Sequence, residues 1–184
     1  KQFTASPECA KILLHHPAVL IENRLTPDIG FMVGSHVHIS KTIMNLVSNA
    51  AEAMSRGGTI IISTAKQYID FTIRGYDDII EGEYLKLMVN DTGDGIAKED
   101  LGRIFEPFFT KKQMGRSGTG LGMAVVWGTV KDHAGYIDVE SHPGIGTTFT
   151  LYFPLSRETL APRPDAEISP EQYKGCGETV LVVD

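Results

Sequence analysis

A chain of 184 residues with 42% hydrophobic and 22% charged residues can bury one substantial core, and its composition is neither disordered nor fibrous. A formal charge of −6 argues against a general nucleic-acid or membrane-surface binder, which would gather basic residues on one face. Two cysteines, Cys9 and Cys176, offer neither a disulfide framework nor metal-ligand spacing, which points to a reducing, cytoplasmic setting. No apolar run reaches the ~18 residues that span a bilayer, and the start KQFTASPECA lacks the apolar segment of a signal peptide. The absence of an initiator Met leads to the expectation of a piece cut from a longer polypeptide.

From Pro7 to His16 the pattern is a short helix closed by Pro17. His15 and His16 point about 100° apart on it and read as surface histidines. Val19 to Leu25 reads as a strand, Thr26 to Asp28 as a turn and Ile29 to Val33 as a short extended piece. Ser35 is the expected N-cap of a central helix through HISKTIMNLVSNAAEAM, His38 to Met54, which Gly57 and Gly58 stop. Ile39, Ile43, Leu46, Val47, Ala50 and Met54 share one side of that helix, and Asn45, Asn49 and Glu52 cluster within about 60° on the other. Asparagine competes with the backbone for hydrogen bonds and is a poor helix residue, so two of them one turn apart need a reason. Either they form a solvated polar face, or their amide oxygens serve Mg²⁺, which takes few protein ligands together with phosphates.

Thr59 to Lys66 and Tyr84 to Asn90 read as an antiparallel pair of strands with a long polar connection around Tyr76, Asp77 and Asp78. The second runs into DTGDGI, Asp91 to Ile96. Asp91 ends the apolar strand LKLMVND, and a buried carboxylate needs donors, of which the exocyclic amine of adenine is one. Gly93 and Gly95 permit a close backbone approach. A helix from Lys98 to Ile104 leads to FEPFFTKK, where Phe105 and Phe108 anchor a Gly-rich, basic segment without apolar period, QMGRSGTGLG. This reads as a mobile lid hinged on a packed end. The glycines Gly118, Gly120 and Gly122 open a helix from about Leu121 to His133, whose N–H groups can face an anion, with Lys111, Lys112 and Arg116 adding local positive charge. The Walker pattern GxxxxGK[ST] is absent, and a Gly-rich turn alone is often only a turn. Tyr136 to Ser141 and Thr147 to Phe153 form the last strands, joined by the hairpin turn HPGIG. The order predicts an α/β layer with a mixed sheet.

Four ordered boxes, NLVSNAAEAM, DTGDGI, FEPFF and GTGLG, closed by GIGTTFTLYFP, resemble the ATP-binding catalytic domain of sensor histidine kinases. The wider family includes DNA gyrase, Hsp90-type chaperones and mismatch-repair ATPases, and the match covers about residues 17 to 155. The resemblance implies a two-layer α/β sandwich, the Bergerat fold, with a mixed sheet covered on one face by helices and ATP beneath a lid. It implies Asn49 as the Mg²⁺ ligand with Asn45 as its partner near the phosphates, and Asp91 as acceptor of the adenine amine with Thr147 supporting the base through water. It further implies Gly93 and Gly95 beside the nucleotide, Gly118, Thr119, Gly120, Leu121 and Gly122 around the phosphates, and Lys112 near them. Many such kinases carry a basic residue at the position of Glu52.

Hydrolytic members of the family carry a glutamate where this chain has Asn45, and an amide cannot abstract a proton from water at neutral pH. Asn45 therefore favours phosphoryl transfer to another protein group over free ATP hydrolysis, and the resemblance implies that the ATP γ-phosphoryl goes to a histidine on a separate dimerisation domain, with Asn45 in the catalytic centre. The alternatives are an ATP hydrolase or serine protein kinase of the same family, or a nucleotide-sensing module without chemistry. From Glu158 to Gly177 the composition shifts to Pro, Ala and charge, a linker, and ETVLVVD resembles the first strand of a receiver domain. The expected division is a linker or tail of a dimerisation domain (1–16), the catalytic domain (17–157), a linker (158–177) and a truncated receiver (178–184). The parent would be a homodimeric hybrid kinase, with or without a membrane anchor, acting with a receiver domain or response regulator and no nucleic acid.

Overall fold

A computed structural model describes residues 6–111 and 119–156. The elements, in chain order, are α1 (Pro7–His15), β1 (Val19–Leu25), α2 (His36–Glu52), β2 (Gly58–Ile69), a small hairpin of β3 (Ile73–Arg74) and β4 (Asp78–Ile79), β5 (Gly82–Asp91), α3 (Lys98–Leu101), α4 (Gly122–Asp132), β6 (Tyr136–His142) and β7 (Gly146–Pro154). Five strands form one sheet in the order β1-β2-β5-β7-β6, in which β1 runs parallel to β2 and the other neighbours are antiparallel. The sheet is mixed, as predicted.

Register decides which face carries the core. Ile62 lies opposite Val89, Val89 opposite Phe149 and Phe149 opposite Val139, so one face presents a continuous row of apolar side chains. Leu46, Val47 and Ala50 of α2 and Val126 and Val130 of α4 join that row in a single buried cluster. The two helices are tied end to end by His133: its Nδ1–H donates to the Thr129 carbonyl (2.6 Å), and its Nε2 accepts from the Ser35 N–H (2.9 Å). Ser35 caps α2 as expected, accepting from the His38 N–H at 3.4 Å.

The polar connection between the two central strands departs from the sequence reading. Ile73 and Ile79 pack with Ile69, Tyr84, Tyr136 and Tyr152 on the opposite face of the sheet. The segment then turns around β6, where the Ile137 N–H donates to Asp77 Oδ2 (3.3 Å), Lys131 of α4 pairs with Asp77, and the Tyr76 N–H donates to Asp138 Oδ1 (3.1 Å). A strand edge that would otherwise expose unpaired backbone groups is covered. Its signal in sequence is weak because the covering contacts lie about 60 residues away along the chain. Two smaller differences concern α3, which ends at Leu101 rather than Ile104, and the piece from Ile29 to Val33, of which only Phe31 pairs among the described residues, in an isolated bridge to Ser156. Positive φ at Asp28 (52°) and Gly30 (92°) breaks that extended run.

Candidate functional site

Beside the core, α2, the loop after β5, α3, the start of α4 and β7 enclose a cavity of about 560 Å³. Its two ends have different chemistry. At one, Asp91 closes β5 and is 5% exposed. Both of its backbone donors converge on one oxygen: Oδ1 accepts from the Gly93 N–H (2.8 Å) and the Thr147 N–H (3.3 Å), leaving Oδ2 for a donor in the cavity. Burial raises its pKa above the ordinary 3.8, while those two N–H groups pull the other way. Thr147, paired with Asp91 across the β5–β7 ladder, lines the same end.

Amides and backbone donors form the other end. Asn45 and Asn49 line the cavity from one face of α2 while Leu46, Val47 and Ala50 are buried beneath them, as the helical spacing predicts. Asn45 Nδ2 donates to the Gly122 carbonyl (3.2 Å), which orients the amide, and the Asn49 side chain makes no hydrogen bond among the described residues. Gly122 and Met123 open α4 at the cavity, and Leu121 offers no side-chain cap. The first N–H groups of this 11-residue helix are therefore left for a ligand. No cluster of three His, Cys, Asp or Glu suited to a metal occurs among the described residues.

Of the residues expected at the site, Asn45, Asn49, Asp91, Gly95, Thr119, Gly120, Gly122 and Thr147 line the cavity together. Gly93 and Leu121 do not line it, and Lys112 and Gly118 fall outside the described residues. The glycines are also demanded by the protein's own packing. A Cβ on Gly93 would lie 2.9 Å from Ala53, and one on Gly95, at φ +71°, would lie 2.3 Å from the His142 carbonyl oxygen. Gly120, at φ +68°, lets its carbonyl accept from the Phe108 N–H (3.0 Å), joining the two flanks of the 112–118 segment.

Phe105 is the expected anchor: it is 8% exposed and packs its ring against Tyr76, Trp127 and Phe149. Phe108 is not. It is 72% exposed with φ 66°, and the second ring set against the core and lining the cavity is Phe109, under the Arg103 guanidinium. The turn in the chain, invisible in FEPFF, exchanges the roles of two adjacent phenylalanines. Sequence reasoning also missed the apolar wall of Ile96, Ile104, Met123 and Phe149, and Asp100, a buried carboxylate paired with Lys111 beside the cavity. KED reads as an ordinary solvated helix turn, so Asp100 gave no signal.

Residues 34–157 match the family described as histidine kinase-, DNA gyrase B-, and HSP90-like ATPases. The chain belongs to this family. Among its relatives, the sensor kinase CckA of Brucella abortus is 43% identical over 133 residues, covering 71% of this chain and 14% of that protein. Sporulation kinase A of Bacillus subtilis is 34% identical over 137 residues, covering 74% and 20%. The sensor histidine kinase ZraS of Escherichia coli is 36% identical over 118 residues, covering 64% and 22%. The chain thus spans between 14% and 22% of the length of these relatives, the part that holds the catalytic, ATP-binding domain. In fold it is similar to a mycobacterial sensor histidine kinase MprB (TM-score 0.61, 22% identity, 80% of this chain and 89% of that one). It is equally similar to the catalytic domain of histidine kinase ThkA (TM-score 0.59, 23% identity, 80% and 90%). The fold and the ATP-binding family implied by the four boxes are those of the protein.

Proposed function

We propose that the domain binds ATP with Mg²⁺ in this cavity and passes the γ-phosphoryl group to a histidine on a separate dimerisation domain. The observation that carries the reading is the polarity of one enclosed space: a buried carboxylate acceptor at one end, and two amides with an uncapped helix start at the other. The adenine amine donates to Asp91 Oδ2, with the apolar wall of Ile96, Ile104, Phe109, Met123 and Phe149 against the ring. Thr119, Gly120, Gly122 and the first N–H groups of α4 receive the phosphates, and Gly118 and Lys112 extend that set. Asn49, aided by Asn45, offers amide oxygens to Mg²⁺, which neutralises charge on the transferring phosphoryl group.

Asn45 favours a histidine acceptor over water for a chemical reason. Water must lose a proton as it attacks, and an amide cannot take it, whereas a neutral imidazole nitrogen attacks through a lone pair and needs no base. The bond from that nitrogen to phosphorus forms as the bond to the β–γ bridging oxygen breaks, and ADP leaves. The partners are then a dimerisation and phosphotransfer domain of the same protein and a receiver or response regulator, within the division 1–16, 17–157, 158–177 and 178–184 given above. A cytoplasmic setting fits the cysteine usage, and no helix among the described residues is long and apolar enough to cross a membrane.

Mixing the protein with a separately made dimerisation domain and γ-labelled ATP tests the reading. Acid-labile phosphate on histidine is the expected product. Inorganic phosphate instead would mark a hydrolase, acid-stable phosphate a serine kinase, and unaltered ATP a nucleotide sensor.

A further inference from the structure

Ser141 lies on β6 outside the cavity wall, yet its hydroxyl joins three groups around the Asp91 end. The Ile96 N–H donates to Ser141 Oγ (2.7 Å), the Ser141 hydroxyl donates to the Gly146 carbonyl (3.2 Å), and Ser141 Oγ lies 2.9 Å from Thr147 Oγ1. A hydroxyl owns one proton and two lone pairs. The Gly146 carbonyl can only accept, so the Ser141 proton goes there, and the bond between the two hydroxyls is donated by Thr147. The reverse assignment forfeits the bond to Gly146 and turns the Thr147 proton toward the cavity.

We propose that Ser141 is a specificity-determining residue: by taking the Thr147 proton it makes Thr147 Oγ1 a pure acceptor toward the cavity. Together with Asp91 this end then selects a 6-amino purine nucleotide over a 6-oxo purine nucleotide. The proposal rests on the reading of the cavity as a nucleotide site. Asp91 and Thr147 both ask for donor hydrogens, which a 6-amino group supplies and a 6-oxo group lacks. A water that donates to Thr147 carries the same preference, because its second proton faces N1, an acceptor in a 6-amino purine and an N–H donor in a 6-oxo purine. Ser141 touches no ligand in either arrangement; it acts through Thr147.

Calorimetric titration of ATP and inosine triphosphate, each with Mg²⁺, into the wild type, Ser141→Ala and Ser141→Thr tests this. Releasing the Thr147 hydroxyl to donate should narrow the ATP preference of Ser141→Ala about tenfold, the worth of one net hydrogen bond, while Ser141→Thr keeps the wild-type ratio. Equal losses for both nucleotides in Ser141→Ala would overturn the proposal and leave Ser141 a strut between the Ile96 loop and the β6–β7 turn. A wild type without preference between the two would overturn it as well. Should Ser141→Ala not fold, as judged by its melting transition, Thr147→Val removes the acceptor itself and must show the same narrowing. A folded wild type that takes up neither nucleotide would instead overturn the nucleotide reading.

Discussion

Asp91 shows how one buried side chain couples folding, pH and ligand choice. Its pKa is raised by burial, so the folded protein holds its proton more tightly than the unfolded chain does. That favours the folded state while the group is protonated, and the contribution is lost as pH rises from 3.8 through the raised value. Asp91→Asn should therefore flatten the dependence of the melting temperature on acidic pH without lowering it at neutral pH. Its amide would turn a donor toward the cavity, and ATP uptake measured by calorimetry should fall by at least about tenfold. Asn49 makes the complementary case. With no hydrogen bond from its side chain among the described residues, that side chain contributes little to folding. Asn49→Ala should leave the denaturation midpoint within about 0.5 kcal/mol of wild type and abolish the Mg²⁺ dependence of ATP binding. Equal metal dependence in the variant would remove Asn49 from the ligand set.

Elements matter at the site through where they begin. α4 starts without a side-chain cap, and α2 turns its polar face to the same space, so two helices supply ligand-facing groups without breaking the core. The chain entering α4 depends on Gly120, whose φ of +68° and close approach to the Phe108 backbone exclude a side chain. Gly120→Ala should cost about 1–2 kcal/mol from the left-handed conformation, with the contact to Phe108 disrupted and ATP affinity lowered severalfold. Equilibrium denaturation and calorimetry on one sample would separate the two effects. The neighbouring phenylalanines give a sharper contrast: Phe109→Ala should weaken ATP binding about tenfold through the lost apolar wall, and Phe108→Ala, at 72% exposure, should leave stability nearly unchanged. Equal effects of the two substitutions would contradict the assignment of Phe109 as the packed ring.

At the scale of the whole molecule, the sheet holds the two ends of the cavity apart by placing Asp91 at the end of β5 and packing α2 and α4 across the apolar face. Phe153, fully buried in that layer, should cost about 3–5 kcal/mol on truncation to Ala, read from the shift of a urea unfolding curve. The sequence by itself determined the elements and the chemical inventory. Apolar spacing in 38–54 and period-two strands are local signals, and Asn45, Asn49 and Asp91 stand out because each is a poor choice for its element unless something binds it. Only the tertiary structure decided what depends on approach through space. Phe109 replaces Phe108 because a positive φ turns the chain, and the 73–79 segment covers the edge of β6 through partners about 60 residues distant. Asp100 comes to the cavity with Lys111, and Ser141 joins Ile96 to Thr147, because packing brings together groups whose spacing along the chain carries no periodic signature.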